Sequence, residues 1–127
     1  MNKFTKGILS LGIALSILAG AAGTALADTK TGSLGGNKTT GTSTISKYSA
    51  SVSTSFNGSG VVSYSTTYKY VNSDLGTGKI KRGNGTYGSS VSTKINAPSG
   101  YKSVRVDSVH DVVTSGQSWH ATTYGDY

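Results

Sequence analysis

His110, Asp111 and His120 are the side chains whose types and spacing could do chemistry together. A turn centred on Ser115-Gly116 would set Asp111 opposite His120 on neighbouring strands, and any nearby serine would complete a hydrolase-like triad. The surrounding sequence argues against it. No GxSxG elbow is present, no helical pattern follows a serine, and the two histidines lack a third ligand motif for zinc. Glutamate is absent, so aspartates are the only carboxylate side chains. Asp107 and Asp111, four apart on one strand, would lie about 13 Å apart on the same face, too far for a retaining glycosidase. Both histidines are therefore expected to be structural or surface residues, in a non-enzymatic protein without a metal or cofactor.

The other chemistry available is anion binding. KIKRGNG (79–85) contributes Lys79, Lys81 and Arg82, and with Lys94, Lys102 and Arg105 it forms the densest positive region. Tyr64, Tyr68 and Tyr70 on a neighbouring strand could stack on sugars beside these cations. The expected ligand is an anionic cell-wall polymer, a glycan or a membrane surface. Nucleic acid is a poor fit for an exported protein of such modest charge.

Export is read from the first 27 residues. Lys3 and Lys6 precede an uncharged apolar run from Gly7 to Ala22, and Ala25-Leu26-Ala27 forms a small-x-small cleavage site. The run is shorter than the ~20 residues a spanning helix needs. A secreted mature chain beginning at Asp28 is expected, from a Gram-positive-like source. It would carry ten Lys plus Arg against five Asp, and no cysteine to staple it. One small domain is all that remains.

Residues 28–44 are rich in Gly, Thr, Ser and Lys with Leu34 as the one large apolar side chain, which suggests a flexible arm. A β domain is expected over 45–127. Tyr48, Ala50, Val52, Thr54 and Phe56 alternate with serines, and Val62, Tyr64, Thr66, Tyr68 and Tyr70 repeat the pattern. These two stretches read as a hairpin, with a loop of three or five residues between them because their apolar parities agree. Further strands are expected at 79–82, 91–95, 101–113 and 119–124, with a turn at Asn84-Gly85, a boundary at Pro98 and a bulge near Ser108. The fold class is all-β, a small antiparallel sandwich or barrel of about six strands.

Size, charge and the lack of an active site together point to a secreted bacterial β-domain that binds an anionic envelope, in the manner of a bacteriocin-like antimicrobial. The alternatives are a pore-forming toxin that inserts the 48–70 hairpin, or an extracellular structural or matrix protein.

Overall fold

A computed structural model describes residues 26–127, so the expected leader lies outside the described residues except for Leu26 and Ala27. The described chain is all strand and turn. Its eight strands are β1 (Leu26–Leu34), β2 (Asn37–Ser46), β3 (Ser49–Phe56), β4 (Val61–Asn72), β5 (Gly76–Tyr87), β6 (Ser90–Asn96), β7 (Lys102–Val113) and β8 (Ser118–Asp126). They form two four-stranded antiparallel sheets, β1-β2-β3-β6 and β5-β4-β7-β8, packed face to face in a sandwich-like arrangement.

Eight strands rather than six is a correction, and the difference lies in the stretch expected to be a flexible arm. Residues 28–44 are β1 and most of β2, paired from Leu26↔Ile45 to Leu34↔Asn37 around Gly35-Gly36. Both glycines have positive φ (57° and 83°), which lets a two-residue turn follow the twist of the strands. The alternation is present in β2, but its inward residues are Thr39, Gly41, Ser43 and Ile45. Three of these four are not apolar, so hydropathy does not reveal the period.

The serine-faced stretch shows a second correction. Ala50, Val52, Thr54 and Phe56 are buried, and so are Val62, Tyr64, Thr66 and Tyr68, as the parity requires. The two strands do not pair, however. β3 lies between β2 and β6, whereas β4 lies between β5 and β7, so Asn57–Gly60 carries the chain from one sheet to the other. Matching parity means that both strands face one core, and facing sheets satisfy that as well as neighbouring strands do.

β5 is longer than expected and runs straight through Asn84-Gly85, which pair with Tyr64 and Ser63 of β4. An edge strand tolerates such glycines because only one neighbour needs its ladder. The bulge in β7 falls at Val104, where Lys69 pairs with Arg105 and Tyr70 with Ser103. From Val106 onward the even residues all point inward, Ser108 and His110 included.

Between the sheets lie Ile45, Val52, Phe56, Val62, Tyr68, Ile95, Val106 and Val112. Tyr68 is fully buried and its hydroxyl bonds Ser103 Oγ at 2.6 Å. Tyr68→Phe leaves the buried Ser103 hydroxyl without that partner, so a loss of about 1–2 kcal/mol in urea denaturation is expected.

Candidate anion-binding surface

The register fixes what each outer face presents. On the β5-β4-β7-β8 sheet one row reads Lys79, Lys69, Arg105, Asp126, and the next reads Lys81, Thr67, Asp107, Tyr124. Positive charge therefore gathers on the β5 side and negative charge on the β8 side. Arg105 is taken up by the acids: Nε lies 3.0 Å from Asp107 and Nη1 3.0 Å from Asp126, with the guanidinium over the Tyr124 ring. Hydrogen bonds to the carboxylates, Asp107 foremost, push its pKa up.

Lys69 and Lys79 remain. They are directly opposed across β4 and β5, Lys81 is two residues along on the same face, and all three are exposed. Among the described residues none of the three forms an ion pair with a carboxylate. Like charges placed opposite one another destabilise a sheet. A shallow cleft of about 400 Å³ beside the pair is lined by Lys69, Tyr70, Thr77, Gly78, Lys79 and Val104. This arrangement can hold a phosphate or carboxylate group between two ammonium groups.

The other cations expected in the patch are dispersed. Arg82 reaches from β5 across the open side of the sandwich to Thr93 Oγ1 and the Lys94 carbonyl, each at 3.1 Å, and so ties the sheets together. Lys94 pairs with Ser51 on the outer face of the opposite sheet. Lys102 stands beyond the bulge, opposite Val71. Lys69 was missed because it is separated in sequence from KIKR; its odd position on β4 was the available signal.

The tyrosines are also placed differently. Tyr64 and Tyr68 are core residues at 6% and 0% exposure, and Tyr70 is half-buried with its ring edge-on to Tyr101 at 5.0 Å. With few large aliphatic residues available, tyrosine fills the interior, so Tyr64 and Tyr68 cannot stack on a sugar.

The histidines part company. Asp111 is opposite His120 on the outer face, with Oδ1 2.6 Å from Nδ1, as the turn at Ser115-Gly116 implied. His110 points the other way and is fully buried. Its Nδ1 lies 2.8 Å from Thr54 Oγ1 and its Nε2 2.7 Å from Thr123 Oγ1. From Thr54 the chain of bonds ends on the Ser63 carbonyl. From Thr123 it runs through Ser43, Ser108 and Thr66 to the Asp107 carbonyl. Counted as protons, five hydroxyls and a neutral imidazole supply about one fewer than these contacts use, and an imidazolium would complete both chains. Burial nevertheless dominates and lowers the His110 pKa to about 4, with Asp111, Asp28 and a hydrogen bond to the Ser53 backbone pulling the other way. The seam bonds the two sheets to each other.

Compared with protein-family models, with curated proteins and with solved structures, the chain finds no match. The class defined by the fold and the surface is thus an all-β, two-sheet domain with an unneutralised lysine cluster on one outer face.

Proposed function

We propose that this chain is a secreted, non-enzymatic bacterial β-domain that binds an anionic surface of the cell envelope. The observation that carries the reading is the opposed Lys69–Lys79 pair with Lys81 beside it. A sheet that kept this face only for solubility would gain by placing an acid opposite one lysine, as it does for Arg105 and Asp126. A polyanion supplies the missing counter-charge when bound, and the attraction weakens as salt screens it. Where the bound envelope belongs to a competitor, the consequence is bacteriocin-like growth inhibition.

The test is co-sedimentation with cell walls and with anionic vesicles at low and high salt. Lys79→Glu is expected to abolish the salt-sensitive binding while slightly raising the melting temperature, because it turns a repulsive cross-strand pair into an attractive one. Binding that is unchanged in this variant would remove the lysine pair from the proposal.

A further inference from the structure

The two ends of the sandwich differ in chemistry. At one end the connections are Gly35-Gly36, Asn57–Gly60, Gly88-Ser89 and Thr114–Gln117, and none holds a charged residue. At the other end are Lys47-Tyr48, Ser73–Leu75 and Ala97–Tyr101. Hydrogen bonds draw them together: the Ser103 N–H donates to the Lys47 carbonyl, the Ala97 N–H to the Tyr48 carbonyl, and Asn72 Nδ2 to the Gly100 carbonyl.

Apolar side chains are exposed near both ends, Val61, Tyr87 and Val113 on the strand segments at the first. At the second they lie in the connections themselves, together with Lys47. Leu75 is 71% exposed and Tyr48 55%. Leu75 does not dangle, because Asn72 Oδ1 accepts the N–H groups of both Asp74 and Leu75 and fixes the turn that presents it. Lys47 Nζ lies 5.1 Å from the centre of the Tyr48 ring, so a cation and an aromatic ring project together. Lys102, Lys69 and Lys79 stand on the strand segments leading to the same end, with Asp74 as the acid among these connections.

We propose that this end docks on an anionic lipid bilayer, with Leu75 entering the acyl boundary, Tyr48 at headgroup level, and Lys47, Lys69, Lys79 and Lys102 over the phosphates. The inference deepens the envelope-binding reading and rests on it. Charge complementarity selects an anionic partner, and the apolar tip selects lipid over a soluble polymer, which has no apolar layer to receive a leucine. Tyrosine and lysine flanking a buried aliphatic residue is the side-chain order of a membrane interface. Each basic residue near an anionic leaflet adds attraction that salt removes.

The experiment uses the absence of cysteine. Leu75→Cys and, at the opposite end, Ser115→Cys are each labelled with an environment-sensitive dye and mixed with phosphatidylglycerol vesicles. A blue shift at position 75 and none at 115 is expected. In parallel, the double variant Tyr48→Ser with Leu75→Ser is expected to bind the vesicles about tenfold more weakly while binding a soluble polyphosphate as the parent does. No shift at 75, or vesicle affinity unchanged in the double variant, overturns end-on docking. If the parent still binds polyphosphate in a salt-sensitive way, the envelope reading survives that result. If the parent binds neither vesicles nor polyphosphate, both fall.

Discussion

Gly41→Ala is expected to destabilise the domain by about 3 kcal/mol, or about 15 °C in melting temperature for a chain of this size. A Cβ built at Gly41 would stand 2.6 Å from His110 Cδ2 and 2.8 Å from His110 Cβ, and nearer still to Cγ. These are atoms at the base and middle of a ring, so no flexible tip can swing aside. The ring is also held at both nitrogens by Thr54 and Thr123, on strands of different sheets. Relief therefore requires breaking the polar seam or separating the sheets. The partner substitution isolates the cause. His110→Ala alone leaves a cavity and strands two hydroxyls, yet combined with Gly41→Ala it removes the two ring contacts and leaves only the one to the 110 Cβ, so the double variant should cost less than the sum of the two. Thermal denaturation of the four proteins measures that coupling. Strict additivity would mean that Gly41 is required for some reason other than room for the imidazole.

This pairing also explains why part of the fold was legible in the sequence and part was not. The alternation in 48–56 and 62–70 identified the core residues Val52, Phe56, Val62 and Tyr68 because apolar and polar residues take turns there. In β2 the inward positions include Gly41 and Ser43, which receive His110 and Ser108, so the core face resembles a linker in composition. Small polar residues opposite a buried polar seam leave no hydropathy signal. Pairing was hidden for a different reason: parity says which face a residue occupies, and carries nothing about whether the next strand lies beside it or across the core. The candidate site suffered from the same limit. KIKRGNG is contiguous in sequence, but alternation sends Lys79 and Lys81 to one face and Arg82 to the other, where it bonds β6. Lys69 joins the first two only through register.

Acidification from neutral pH to about pH 4 is expected to remove about 3 kcal/mol of stability through His110 alone. The folded-state pKa is lowered from 6.5 to about 4, chiefly by burial. Above pH 6.5 the imidazole is neutral both folded and unfolded, and the contribution is fully present. As pH falls below 6.5 the unfolded chain takes up a proton that the folded chain refuses, so unfolding is favoured progressively. Below about pH 4 the folded protein protonates too and the loss levels off. Urea denaturation across this window measures the slope, and ring-proton NMR of His110 measures the midpoint directly, without requiring a folded variant. A midpoint near 6 would overturn the assignment. The acid form should keep its sheets together, because a second ring proton lets Nδ1 donate to Thr54 while Nε2 donates to Thr123. Thr54 is then free to donate to the Ser63 carbonyl, and Thr123 to Ser43. Protonation costs desolvation of one charge and in return completes the two hydroxyl chains that end on the Ser63 and Asp107 carbonyls. The expected state at pH 4 is thus a weaker fold with the same hydrogen-bonded interior, seen as a lower urea midpoint with an unchanged denaturant slope.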